Sequence, residues 1–444
     1  MILSGCARGS QQQHPKTSKH VRAIIDRMIT RRELLRHSTT AAALFGLPAT
    51  AASVRSTMPL PGNDLYQRDP EAFWTKIRDE QFLLPGWRVF LQNGSLGIAP
   101  RPVVNAVTDY LTRSAALDLE EYPRWGYETL DDFRTEVAQY LGCQKDELAF
   151  MHSATEALST VAAGVELKAG DEVVMTSQEH PSGKSGWLMR QARHGITVRE
   201  VTIPLPPKDP GQLADLMISA IGPNTRVLSF SAITSPTGLV MPVKEICAAA
   251  RAKGVMTLVD GAHVHGQIKM PISELGCDYF AGSPHKWMFA PAGSGFLYIR
   301  EENLDKLWPN TVTGGWDNKQ LKAARFQMLG TNNRAIIEGM VAGVRFANQI
   351  GPDRIFERMH QLARMVREQA AKTPYLELLT PEDDRMYGSL VTFRFTKKPD
   401  AFFAACKQKK IWTTGGSPLR VSVHIHTRPS DIEAMFQTMH ETLG

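Results

Sequence analysis

Residues 259–287 read VDGAHVHGQIKMPISELGCDYFAGSPHKW, and this stretch decides how the rest of the chain is read. The apolar run 255–259 stops on Asp260, which is followed by Gly261, Ala262 and His263. A second strand-like run, 277–281, leads into Gly282-Ser283-Pro284-His285-Lys286-Trp287. Short apolar runs bounded by small turn residues read as buried strands that end in loops. One such end carries a carboxylate and the next a lysine, so the two groups face a shared pocket.

A lysine opposite a carboxylate suits pyridoxal phosphate. The amine forms a Schiff base with the aldehyde, and the acid keeps the ring nitrogen protonated. Taken singly, an aspartate at a strand end is a turn former or helix cap, and a lysine before a tryptophan is a solvated amine. The glycine-rich exit Pro291-Ala292-Gly293-Ser294-Gly295 makes the combination more specific. The words DGAH and SPHKW resemble the class V aminotransferases of the fold-type I pyridoxal-phosphate enzymes, in particular isopenicillin-N-epimerase-like members. The resemblance spans roughly residues 70–440.

Outward from this stretch the chain alternates. Helices are expected over 131–141, 154–166, 183–194, 211–221 and 243–253, and strands over 147–151, 171–176, 197–203, 225–231 and 255–259. That alternation predicts an α/β fold whose large, mostly parallel sheet is covered on both faces, with ligands beyond the carboxyl ends of the strands. Seven strands are what the resemblance implies. Beyond Trp316 long helical patterns at 333–349 and 352–371 precede shorter strands and helices, which predicts a smaller α+β domain. The expected division is 1–52 extension and signal, 53–90 linker and N-terminal part of the small domain, 91–315 large cofactor-binding domain and 316–444 small domain.

His152-Ser153-Ala154-Thr155-Glu156 follows an expected strand and opens a helix, where free N–H groups and a hydroxyl bind an anion. The resemblance puts Ala154 and Thr155 on the cofactor phosphate, with Ser283 and His285 at the family's other phosphate positions. It implies that His180, in the Glu179-His180 pair, stacks on the ring. It gives Asp260 the ring nitrogen, Lys286 the Schiff base and the Cα proton, and His263 the ring oxygen O3′. Ser235 stands where the family has an asparagine. Thr331 matches a threonine that reaches the phosphate of a neighbouring subunit, which implies a homodimer. Arg420 resembles the arginine that grips a substrate α-carboxylate, a task its planar fork suits. Asn93 lies in a loop resembling a substrate-contacting Asn-His-Gly.

The implied enzyme acts at Cα of a small-molecule or peptide amine, first by amino transfer, with lyase or epimerase chemistry open to the same residues. A secreted binding protein that keeps the fold without turnover is the non-enzymatic alternative. Desulfurases carry a mobile cysteine before the carboxylate-binding arginine. Residues 412–418 contain none, so sulfur abstraction lacks its thiolate.

Charge places the chain. The net charge is +6, yet residues 1–52 hold eight Lys/Arg against two acids, and the remainder is 43 against 43. The body therefore lacks the basic footprint of a nucleic-acid partner. The twin arginines Arg31-Arg32, the apolar residues 41–47 and Ala49-Thr50-Ala51-Ala52 form a charged region, a short apolar region and a small-residue cleavage site. This predicts twin-arginine export to the periplasm or beyond, with Met28 as an alternative start, and the apolar run is too short for a membrane span. Cys143, Cys247, Cys277 and Cys406 are scattered and expected as buried apolar residues. Gly183-Lys184-Ser185 lacks the earlier glycine of a phosphate loop. The His263/His265 and His424/His426 pairs, each read on one strand face, lack the further ligands of a metal shell.

Overall fold

The computed structural model of the chain describes residues 58–116 and 128–444, which fall within one compact unit. The expected signal and the alternative start at Met28 lie outside the described residues. In chain order the first strands are β1 (Val89–Phe90), β2 (Leu148–Met151), β3 (Glu172–Thr176), β4 (Thr197–Val201), β5 (Thr225–Ser231), β6 (Met256–Asp260), β7 (Tyr279–Gly282) and β8 (Gly295–Ile299). The rest are β9 (Leu376–Leu378), β10 (Leu390–Phe395), β11 (Ile411–Trp412) and β12 (Leu419–Ser422).

The main sheet has seven strands in the order β2-β8-β7-β6-β5-β3-β4. From β3 to β7 every neighbouring pair is parallel, whereas β8 is antiparallel to both β7 and β2. β2 therefore points the same way as β7, and β8 alone is reversed. Six strands deliver their carboxyl ends to one rim, and β8 begins there.

Successive residues of these strands enter opposite cores, as a sheet buried on both faces requires. Leu148 and Phe150 of β2 join one apolar cluster, and Ala149 and Met151 join the other. The same division separates Phe280 from Tyr279 and Ala281 on β7, and Phe296 from Leu297 on β8. Only the edge strand β4, with Thr197 and Glu200 exposed, keeps a solvent-facing part.

A second sheet, in the order β12-β10-β9, packs the helices Pro352–Lys372, Asp400–Gln408 and Pro429–Leu443 around Val391, Phe393, Leu419 and Val421. β1 pairs in parallel with β11, which ties the segment ahead of residue 90 to the C-terminal layer. Among the described residues no helix is long and apolar enough to cross a membrane.

Three local readings need correction. Residues 63–68, expected in a linker, form the helix Asn63–Arg68. The histidine pairs do not share strand faces: His263 and His265 sit in turns after β6, and His424 and His426 beyond β12. β8 was absent from the expected elements. Lys184 of the discarded phosphate-loop look-alike lies inside the helix Pro181–His194 and pairs with Glu200 at 2.8 Å.

Candidate active site

At the strand rim a cavity of about 290 Å³ opens, lined by residues from β5, β6, the turns beyond them, the helix Ala154–Gly164 and β12. Asp260 reaches it from the end of β6 and Lys286 from the short helix after β7, so the two expected chemical ends line one space. Ala262 N–H donates to Asp260 Oδ1 at 2.9 Å, which fixes the carboxylate above its turn. Lys286 Nζ lies 3.1 Å from His263 Nε2, and Trp287 Nε1 donates to His263 Nδ1 at 3.2 Å. Burial lowers the Lys286 pKa to about 8, with the Arg420 charge adding to the effect and Asp260 opposing it. Burial likewise holds His263 well below the usual histidine value, so its ring is neutral.

The anion end is built at the helix Ala154–Gly164. Ser153 caps it, accepting from Glu156 N–H at 3.2 Å, and Ala154 N–H donates to Ser283 Oγ at 3.3 Å. Ala154, Thr155, Ser283 and His285 all line the cavity, as expected of phosphate contacts. Thr155 Oγ1 bonds Ser182 Oγ at 3.0 Å, which adds a hydroxyl that the sequence reading left out. The start of β8 presses against this turn: a Cβ at Gly295 would lie 2.5 Å from Ser153 N, so only glycine fits.

His180 lines the cavity while its Nδ1 accepts from Ser182 N–H at 3.2 Å and caps the helix Pro181–His194. The expected stacking ring is thus held by its own backbone. Arg420 also lines the cavity. Its Nη1 donates to Ser235 O (2.6 Å) and Ser235 Oγ (3.2 Å), and its Nη2 to Ser95 Oγ (3.1 Å). Arg420 Nε is buried without a partner. Ser235 therefore orients the arginine, a role beyond the cofactor contact expected of it.

Two expected residues stand elsewhere. Asn93 is 1 % exposed and does not line the cavity; its Nδ2 donates to Lys286 O at 2.7 Å, and its Oδ1 faces His426 Nε2 at 3.3 Å. It holds the lysine's main chain instead of touching substrate. Thr331 is exposed outside the cavity, on the loop where Asn332 Oδ1 meets His152 Nε2 at 3.1 Å. Sequence reasoning also passed over Ser95, two residues beyond Asn93, and Trp287, which lies in the quoted SPHKW.

These residues fit pyridoxal phosphate. A helix N-terminus with hydroxyls suits the phosphate, a buried carboxylate suits the ring nitrogen, a lysine of lowered pKa suits the aldehyde, and the Arg420 guanidinium at the cavity wall suits a substrate anion.

Comparison with known proteins agrees with this geometry. The family described as Aminotransferase class-V matches residues 89–434. The isopenicillin N epimerase of Amycolatopsis lactamdurans is 32% identical over 396 residues, covering 83% of this chain and 98% of the epimerase. A probable cysteine desulfurase of Methanothermobacter thermautotrophicus is 27% identical over 392 residues, covering 80% and 95%. Among solved structures, a C-DES mutant with glycine covalently linked to its PLP cofactor superposes with a TM-score of 0.70 at 22% identity, covering 79% of this chain and 96% of the other. This last likeness is one of fold, the fold-type I architecture with its large, mostly parallel sheet. The chain belongs to the class V aminotransferase family of pyridoxal-phosphate-dependent enzymes.

Proposed function

We propose that this protein is an exported enzyme that acts at the Cα of an amino-bearing substrate, with amino transfer as its reaction. The observation that carries the reading is the placement of Lys286, Asp260 and a helix N-terminus around one cavity. Bound pyridoxal phosphate supplies an electron-withdrawing ring that stabilises negative charge at Cα. Lys286 Nζ, with its pKa lowered to about 8, takes the proton from Cα; amino transfer requires that this proton be delivered away from Cα, so that the nitrogen stays behind with the cofactor. Asp260 holds the proton of the ring nitrogen, and His180 covers the ring face. Arg420, which lines the cavity, orients the substrate by its carboxylate.

Epimerase chemistry is the second reading, favoured by the 32% identity to an isopenicillin N epimerase. There the proton returns to Cα on the opposite face and the substrate keeps its nitrogen, whereas amino transfer removes it; a lyase would use the same residues. The export signal combined with this fold is also similar to the periplasmic enzyme that tailors the pyoverdine side chain, so a peptide of that kind belongs among the substrates tested. Thr331 on its exposed loop supports a homodimeric active unit.

The test begins with the cofactor-loaded protein and Lys286→Ala. The wild type shows the near-visible absorption of bound cofactor, and the variant lacks the band. The loaded enzyme is then incubated with amino acids and amino-terminated peptides and scored for keto product, for pyruvate with ammonia, or for inverted stereochemistry. Keto product with aminated cofactor supports transfer; inversion without either transfers the assignment to epimerisation. Export is tested by fusing residues 28–57 to a folded reporter, where Arg31→Lys with Arg32→Lys abolishes translocation.

A further inference from the structure

Beside Asp260 lies a second carboxyl group, that of Glu179, only 6 % exposed. Thr176 Oγ1 donates to its Oε1, and Ser231 Oγ donates to its Oε2 at 2.6 Å. Ser231 ends β5, pairs in register with Asp260 at the end of β6, and lines the cofactor cavity. Gly183 shows how near the two acids come. A methyl group there would sit 3.8 Å from both Asp260 Oδ2 and Glu179 Oε2.

The charge arrangement gives this acid a task. Arg420 lines the cavity, and a fixed cation there works against a proton on the ring nitrogen. Asp260 opposes it. We propose that Glu179 is a positioning residue for the cofactor ring: its carboxylate, joined to the cavity through Ser231, adds negative potential beside Asp260 and so holds the ring-nitrogen proton. The proposal rests on the pyridoxal-phosphate reading above.

The surroundings of Glu179 support this. Burial raises its pKa to about 7, the Ser231 and Thr176 hydroxyls oppose the rise, and the Asp260 charge adds to it. A protonated ring nitrogen facing Asp260 relieves that repulsion, so each acid favours the same cation. The other charged groups near it are His180, Arg394 and Arg420, which line the outer cavity it shares.

The experiment measures the affinity of the full chain for pyridoxal phosphate and for its 1-deaza analogue, in which carbon replaces the ring nitrogen. Glu179→Gln keeps the shape and removes the charge; its amide oxygen accepts from one of the two hydroxyls, and the other hydroxyl must turn to accept from the amide nitrogen. Above the Glu179 midpoint this variant is expected to bind pyridoxal phosphate roughly three- to tenfold more weakly. Below the midpoint it matches the wild type, and the deaza analogue binds both proteins equally. Ser231→Ala, which removes the link, shifts affinity in the same direction. Equal losses for both cofactors, or no loss for pyridoxal phosphate, overturn the proposal. A wild-type protein that binds neither cofactor overturns the reading beneath it.

Discussion

Trp287 Nε1 donates to His263 Nδ1 at 3.2 Å, so the neutral His263 ring carries its proton on Nε2, 3.1 Å from Lys286 Nζ. That N–H needs a lone pair, which an amine offers and an ammonium does not. The indole thus acts through the imidazole to favour the nucleophilic form of the lysine. Trp287 is itself clamped: it stacks on His424 at 5.9 Å, and His424 stacks on His426 at 5.3 Å.

The rate of cofactor uptake by the cofactor-free protein follows the fraction of unprotonated Lys286. It rises with pH through a midpoint near 8, because the amine form accumulates above the pKa. Trp287→Phe frees Nδ1 to carry the proton, turns Nε2 into an acceptor for the ammonium, and moves the midpoint upward. Rapid-mixing absorbance across a pH series reads both. A wild-type midpoint at the ordinary lysine value of about 10.4 would contradict the arrangement.

Arg420→Ala removes the guanidinium and its charge. For carboxylate substrates KM rises about 10- to 100-fold, as loss of charged hydrogen bonds of about 1.5–3 kcal/mol implies. Substrates without a carboxylate are affected far less. Arg420→Lys recovers only part of the loss because an ammonium lacks the fork. Steady-state kinetics with an amino acid and its decarboxylated amine decides the matter; equal losses for both exclude carboxylate recognition.

Gly97→Ala is expected to disturb the lysine from below. The new Cβ would lie 2.3 Å from Lys286 O and 2.8 Å from His285 O, where Gly97 N–H already donates to His285 O at 2.9 Å. The backbone carrying Lys286 must move away. A crystal structure showing the segment displaced, with weakened cofactor affinity, checks this; unchanged affinity would show that the turn gives way instead.

Arg78 and Asp431 form an ion pair at 3.8 Å with both side chains 1 % exposed. Arg78 also donates to the carbonyls of His426 and Arg88, joining the helix Pro70–Gln81 to the start of the last helix. Arg78→Ala leaves the carbonyls of His426 and Arg88 without their donor, while Asp431 keeps its closer Arg428 pair at 2.7 Å, and costs about 1.5–3 kcal/mol. Urea denaturation measures it. A loss below about 1 kcal/mol, the scale of an exposed pair, would refute the assignment.

The chemistry was more legible than the architecture. Asp260 ends one apolar strand and Lys286 sits in the short helix just after another, so the strand pattern together with the family resemblance placed them on one rim. β8 was not legible because Gly295–Ile299 is apolar on both faces and follows a proline- and glycine-rich turn that reads as a loop. Asn93 was misread because a turn-forming asparagine looks the same whether its amide faces a substrate or the Lys286 carbonyl. Glu179 was named only as half of a dipeptide. Its neighbours Ser231 and Asp260 are 52 and 81 positions away in the chain, and only folding brings them together.

The reversed strand has a mechanical meaning. By turning back at the rim, the chain stitches the Lys286 segment between β7 on one side and the Gly295 contact with Ser153 on the other. The anchors for the aldehyde and phosphate ends of one small molecule are therefore neighbours along a single hairpin-like pass. A slip of β8 against β7 would shift the Lys286 segment and the Gly295 approach to Ser153 at once.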